Sequence, residues 1–242
     1  SGCVWYGAVT VAAPAIFLDG SRFLSKINLT YTTASGYTLT STGGNYFGDT
    51  VTVVQGNSAV VTMGGTAVDT FATYACLQNT GTTFAINNAL FLGNVKFKNS
   101  LVSLSDHYYV ANTGTVTIKG NATIENANSS INFGNSGGTT VLDTNCRITI
   151  PAGSGTVNLT NVVQHGSDTI SVPMSAGSDV LYLNTGNLFN GPFLFNGTRI
   201  LLNGTTFNGS VNILRTYNGA SFDICNDGNV FNGNTVICDS VS

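Results

Sequence analysis

Between Gly186 and Cys238 very short apolar runs alternate with Asn-Gly pairs, and this spacing restricts the fold more than any other feature of the chain. The pairs are Asn190-Gly191, Asn196-Gly197, Asn203-Gly204, Asn208-Gly209, Asn218-Gly219 and Asn232-Gly233. Asn and Gly enter the left-handed backbone region at least cost, so each pair is expected to turn the chain sharply. Asn-Gly between apolar runs ordinarily signals a hairpin. The runs here are Phe193-Leu194-Phe195, Arg199 to Leu202, Thr205 to Phe207 and Val211 to Leu214. Arms this short lie at the bottom of the strand range, and an isolated two-stranded hairpin is marginal in water. Short strands do persist when a chain winds as a parallel coil, because each pairs with its counterpart one turn above and below. Corner asparagines in such a coil are expected to stack into ladders that satisfy one another's amides.

The rest of the chain carries the same signature. Ile27 to Tyr31, Tyr37 to Leu39, Thr50 to Val54, Ala59 to Met63, Thr83 to Ile86, Ala89 to Leu92 and Leu101 to Leu104 alternate with period two. The most regular part follows. Val116 to Ile118, Ala122 to Ile124, Ile131 to Phe133, Thr140 to Leu142, Ile148 to Ile150, Val157 to Leu159, Ile170 to Val172 and Val180 to Leu183 mostly read apolar, polar, apolar. That pattern sends two side chains into a core and one to solvent. Helix signals are nearly absent.

The expected fold is therefore all-β: a single-stranded parallel β-helix, or β-solenoid, of about ten coils and roughly 50 Å from strand spacing. The body should span 26–242. Residues 1–25, with Trp5, Tyr6, Pro14, Phe17 and Phe23, read as an N-terminal cap or an arm exchanged between subunits. The rival architecture is an antiparallel β-sandwich or jelly roll, whose strands should average five or six residues.

Composition narrows the partners. Only 8% of residues are charged, 42% are hydrophobic, and the net charge is -3, so no basic stripe exists for nucleic acid. Weak like-charge repulsion favours self-association, with Trp5, Tyr6, Val9, Val11, Ile16 and Phe17 as candidate subunit contacts. No run reaches the roughly 18 apolar residues of a membrane helix. Ser1 in place of Met is expected of a mature exported product. Seven Asn-x-Ser/Thr sequences, at Asn28, Asn121, Asn128, Asn158, Asn196, Asn203 and Asn208, are candidate N-glycan sites of an extracellular or cell-surface protein.

Five cysteines lack metal-ligand spacing, and no metal or other cofactor is expected. Cys225 and Cys238 have a separation suited to a disulfide stapling the last coil, and Cys3 and Cys76 are further disulfide candidates. Buried, unpaired cysteines acting as small hydrophobes are the alternative.

Chemistry-bearing groups are sparse. Asp223, Asp227 and Asp239 cluster near the C-terminus, and Asp143 precedes Arg147, but neither group has the spacing of a glycosidase or lyase pair. Turn capping explains them equally well. Asp223 to Asn229 has part of a calcium-loop pattern, with Cys225 where an oxygen ligand is required. His165 and His107 lack a Gly-x-Ser-x-Gly partner, so a catalytic triad is not expected. Tyr31, Tyr37, Tyr46 and Tyr108-Tyr109 read as cross-strand packing before they read as a sugar-binding surface.

The run Val116 to Leu183, followed by Phe193-Leu194-Phe195-Asn196-Gly197, Phe207-Asn208-Gly209 and Val230-Phe231-Asn232-Gly233-Asn234, resembles the right-handed parallel β-helix superfamily. That superfamily includes phage tailspikes, autotransporter passengers, adhesins and pectin-degrading enzymes. Phe91-Leu92-Gly93-Asn94 and Phe231 to Asn234 also resemble the Phe-x-x-Asn repeats of polymorphic outer-membrane adhesins, without their Gly-Gly-Ala-Ile partner repeat. The resemblance is at the level of fold and brings no catalytic residue with it. Gln164-His165-Gly166 matches part of the pectinase pattern, whose Arg-x-Lys element is missing. The expected function is non-enzymatic: a secreted structural β-solenoid that polymerises into a filament or surface layer. An adhesin binding cell-surface polysaccharide is the second expectation, and a polysaccharide lyase or glycoside hydrolase the third.

Overall fold

The computed structural model describes residues 2–32, 38–56, 60–100, 107–127, 129–144, 146–151, 153, 155–174, 179–216 and 225–240. The expected strand at Leu101 to Leu104, the pair Asn218-Gly219, Asp223 and Asn128 lie outside these residues. Among the described residues the chain winds through three parallel sheets of eleven, eleven and eight strands, and eight turns carry a strand of each. The first sheet runs from Val4–Trp5 through Arg22–Phe23, Tyr46–Phe47 and Asp69–Phe71 to Val230–Phe231. The second runs from Val9–Ala13 through Ile27–Tyr31 to Thr235–Asp239, and the third from Thr38–Thr40 to Arg199–Leu202. Each strand pairs in parallel with one a full turn away, so the antiparallel sandwich does not hold.

Period-two alternation makes the tube. Along Ile27–Tyr31, Val51–Gln55, Ala75–Asn79, Val95–Asn99 and Ala122–Asn126 the first, third and fifth side chains are buried and the second and fourth face outward. Parallel register then stacks like on like. Phe23, Phe47, Phe71 and Phe91 form one column, with ring centroids 5.4, 4.8 and 4.6 Å apart and planes within 15°. Trp5 opens that column and Phe207 stacked on Phe231 closes it, with Gln164 the polar member between Leu142 and Phe189. Gln164 is accommodated because its Nε2 donates to Asp168 O and its Oε1 accepts the N–H groups of Asn190 and Gly191.

Turn length varies: 18 residues separate Val4 from its partner Arg22, and 27 separate Ala89 from Val116. The surplus goes into the corners while the strands stay in register. This is why no sequence period is visible.

The asparagine ladders divide into two kinds. Asn232 Nδ2 donates to Asn208 Oδ1 and Asn208 Nδ2 to Asn190 Oδ1, each at 2.7 Å, so the exposed Asn-Gly corners do satisfy one another's amides. A second column, Asn79, Asn99 and Asn126, is buried at the end of the second sheet and donates to main-chain and hydroxyl groups instead. Asn99 reaches Ser129 Oγ (2.6 Å) and Ser130 O, and Asn126 reaches Ser129 O and Thr156 O (2.6 and 2.8 Å).

The role expected of the pairs needs one correction. Among the described Asn-Gly glycines only Gly204 has a left-handed backbone, with φ of 64°. Gly191, Gly209 and Gly233 are required by proximity: a β-carbon on Gly209 would run into the carbonyl of Gly191, and one on Gly233 into that of Gly209. The corners of successive turns touch main chain to main chain, and only glycine fits between them.

Candidate functional site: the outermost strands

The segment to residue 25 contributes strands to the sheets. Val4–Trp5 and Val9–Ala13 are the first strands of their sheets, paired in register with Arg22–Phe23 and Ile27–Tyr31. Their outer edges have no partner among the described residues. The expected subunit-contact residues gather here. Tyr6 is 78% exposed, Phe17 59% and Trp5 47%, while Ile16 is buried and Val9 and Val11 are half-buried. Trp5, Val9, Val11, Ile16 and Phe17, with Phe23, line an apolar cleft of about 630 Å³, and Tyr6 lies outside it.

The polarity of the edge follows from the ladder. Val9 N–H donates to Lys26 O and Ala13 O accepts from Thr32 N, so residues 9, 11 and 13 bond into the next turn. In a parallel ladder alternate residues face opposite sides, which leaves the N–H and C=O groups of Thr10 and Ala12 at the open edge.

The opposite end mirrors this. Val211 N–H donates to Asn234 O and Ser240 N–H to Arg215 O, so the main-chain groups of Thr235, Ile237 and Asp239 face outward. Val230, Val236 and Ile237 are 45%, 52% and 38% exposed. Asp239 is held by Arg215, whose Nε and Nη2 donate to its two carboxylate oxygens at 2.5 and 2.7 Å and push its pKa down. The sequence reading named no residue of this C-terminal edge. Its one signal was Phe231, in phase with Phe207 and Phe189.

The other candidates are dispersed. Asp227 lies in a corner where its carbonyl accepts from Gly204, and Asp143 pairs with Lys119 at 3.2 Å and caps Thr144. Arg147 stands apart from that pair, its N–H donating to Asn121 Oδ1. His165, Ser167, Asp168 and Asn190 line one shallow surface depression. Tyr31 and Tyr108 are core residues, Tyr108 donating its hydroxyl to Leu77 O, and burial pushes both phenols up. Tyr46 lies under the Arg22 guanidinium, and Tyr37 is outside the described residues. Tyr109 faces outward, in a column with Asn132, Asn158 and Tyr182 on the third sheet.

The five cysteines are unbridged in this structure. Cys225 sits beside Leu202 on the third side, while Cys238 faces outward from the last strand of the second sheet: the spacing in sequence spans a corner between two sides. Cys146 is buried, which pushes its thiol up to about 12, and Cys3 is exposed at the open N-terminal end. Of the candidate glycan acceptors, Asn121, Asn196 and Asn208 are exposed, and Asn28, Asn158 and Asn203 half-buried.

A buried polar cluster that the sequence did not single out lies at the corner entering the first sheet. Asp69 Oδ1 accepts both the N–H (3.0 Å) and the Nδ2 (2.8 Å) of Asn45, and Asn45 Nδ2 also donates to Leu18 O. Burial pushes the Asp69 carboxyl up to about 6, against the lowering effect of the Asn45 and Gly64 hydrogen bonds. Asn187 and Asn229 occupy the same position in later turns, each joining a strand end of the third sheet to the turn that follows.

Among the described residues no cluster of three His, Cys, Asp or Glu side chains forms, and no helix is long and apolar enough to cross a membrane. No protein-family model matches the chain, and no curated protein or solved structure shows significant similarity to it. The architecture is a parallel β-solenoid, consistent with the β-helix superfamily at the level of fold.

Proposed function

We propose that this is an exported structural protein that self-assembles end to end into an extracellular filament or surface layer. The observation that carries the reading is two pairs of strands, Val4–Trp5 with Val9–Ala13 and Val230–Phe231 with Thr235–Asp239, whose outer edges have no partner among the described residues and lie beside exposed apolar side chains. Such edges recruit further strands unless charge, proline or a covering element blocks them. A chain in which only 8% of residues are charged supplies little repulsion against that growth. The Asn-x-Ser/Thr sequences support a route through a secretory compartment, where glycans would hydrate the sides of the rod.

Sedimentation velocity over a concentration series, followed by negative-stain electron microscopy, tests the reading. Rods of one diameter that lengthen with concentration are expected. Monomers at every concentration would overturn it. A second reading, a polysaccharide-binding adhesin, is favoured by the outward column Tyr109, Asn132, Asn158 and Tyr182, in which Asn158 Nδ2 donates to Asn132 Oδ1 at 2.8 Å. A glycan array with Tyr109→Ala and Tyr182→Ala variants separates it from the first.

A further inference from the structure

We propose that Asn208 is a self-modifying residue: the Gly209 nitrogen closes on its side-chain amide, expels ammonia and leaves aspartate or isoaspartate at a corner of the coil. This goes beyond the self-assembly reading and does not depend on it.

Glycine after asparagine is the neighbour with no side chain to hinder that closure. Four Asn-Gly pairs have a described turn on both sides, Asn190-Gly191, Asn196-Gly197, Asn203-Gly204 and Asn208-Gly209, and the fold treats them differently. Gly191 N–H donates to Gln164 Oε1 at 3.0 Å, and Asn190 N–H and Nδ2 are bound to Gln164 as well. Gly204 N–H donates to Asp227 O at 3.2 Å. Gly197 pairs with Arg215 and its carbonyl accepts from Thr216 N–H, which in a parallel ladder turns its own N–H to the same strand. Each of these nitrogens must give up a hydrogen bond before it can swing toward the side chain. Of the four, only Gly209 N–H has no acceptor among the described residues, and Asn208 is exposed to the water that the reaction consumes.

The Asn208 amide is also prepared as the electrophile. Its Oδ1 accepts from Asn232 Nδ2 at 2.7 Å, on the atom where negative charge gathers as the nitrogen attacks. The Gly209 nitrogen gives up its proton and bonds to Asn208 Cγ, the Cγ–Nδ2 bond breaks, and Nδ2 leaves as ammonia with that proton. Water then opens the cyclic imide at either carbonyl, giving aspartate or isoaspartate. The net change is water in and ammonia out, and no oxidant, reductant or other co-reactant is needed. The product alters the corner. Asn208 Nδ2 donates to Asn190 Oδ1 at 2.7 Å, and a carboxylate has no donor for that step of the ladder. Isoaspartate also adds a main-chain carbon to a corner so close that a β-carbon on Gly209 would meet the Gly191 carbonyl. Asn208 heads an Asn-Gly-Ser glycan sequence, and a glycan on Nδ2 would block the reaction, so the two modifications exclude each other.

The test uses unglycosylated protein held at pH 8, folded and in urea, and sampled over days by peptide mass spectrometry with fragmentation that separates isoaspartate from aspartate. In urea these pairs should convert at similar rates. In the folded chain Asn208 should outrun Asn190, Asn196 and Asn203 by about tenfold, the weight of one hydrogen bond in a rate. Gln164→Leu removes the acceptor of Gly191 N–H and places a leucine in a column flanked by Leu142 and Phe189. It should raise Asn190 conversion by about the same factor, with circular dichroism confirming that the coil is intact. An Asn208 that converts no faster than the others in the folded parent, or a ranking that persists unchanged in urea, would overturn the proposal whatever the variant does. An intact Gln164→Leu protein in which Asn190 stays as slow as before would overturn it too.

Discussion

Asp69 makes the stability of this solenoid depend on pH in an unusual direction. Its side chain is 1% exposed, Oδ1 accepts two hydrogen bonds from Asn45, and Oδ2 is buried with no partner. Burial, reinforced by the negative charge of Asp19, raises the folded pKa from 3.8 to about 6. Between those values the folded chain holds a proton that the unfolded chain has released. Stability is therefore highest below about pH 4, declines as pH rises through 6, and is flat above that. A shift of about 2 units corresponds to about 3 kcal/mol between the two plateaus. The pKa values of Asp143 and Asp239 are pushed down by their hydrogen bonds, so these groups act below the window and with opposite sign. The perturbation is Asp69→Asn. The amide keeps an acceptor for Asn45 and cannot ionise, at the cost of burying a second donor, about 1–3 kcal/mol. Urea unfolding of both proteins at pH 4, 5, 6 and 7 should show the parent losing about 3 kcal/mol across the series and the variant almost none. The two should be close in stability at pH 7, and the variant weaker at pH 4. A parent stability that rises from pH 4 to 6, or an equal decline in the variant, would refute the assignment.

Three other outcomes follow from the packing. Phe71→Ala removes a ring stacked on both faces, between Phe47 and Phe91, and should cost about 3–5 kcal/mol in chemical denaturation. Gly209→Ala should cost about 1–3 kcal/mol because its methyl group meets the Gly191 carbonyl, whereas Gly7→Ala, with open space at that position, should be close to neutral. Timed iodoacetamide labelling at pH 8 should modify exposed Cys3 and Cys238 rapidly and leave Cys146 unlabelled until the chain is denatured.

Much of the strand pattern was legible because it is local. Ile27–Tyr31, Thr83–Ile86, Ile170–Val172, Val180–Leu183 and Arg199–Leu202 fall where alternation places them. Ala75–Asn79 and Val95–Asn99 were missed, since each ends in an asparagine that reads as surface and lies in the core. Their amide nitrogens donate to the next turn, 28 to 31 residues away, which no local window contains. Asp69 escaped notice for the same reason: its partner Asn45 is 24 residues earlier and one turn below. The apolar start around Trp5, Tyr6 and Phe17 was legible from composition, whereas Val230–Phe231 and Thr235–Asp239 became recognisable only as strands of the same two sheets.

By itself the sequence determined that the chain would be built of short strands with sharp corners, that parallel coiling would be their route to stability, and that charge would do little to keep copies apart. Those are consequences of side-chain alternation, turn chemistry and composition, all of which act within a few residues. Register, the glycine corners where one turn presses on the last and the buried carboxylate were decided by the tertiary structure. Each depends on which residue lies one turn away, and with turns of 18 to 27 residues that neighbour is set by how the whole tube packs.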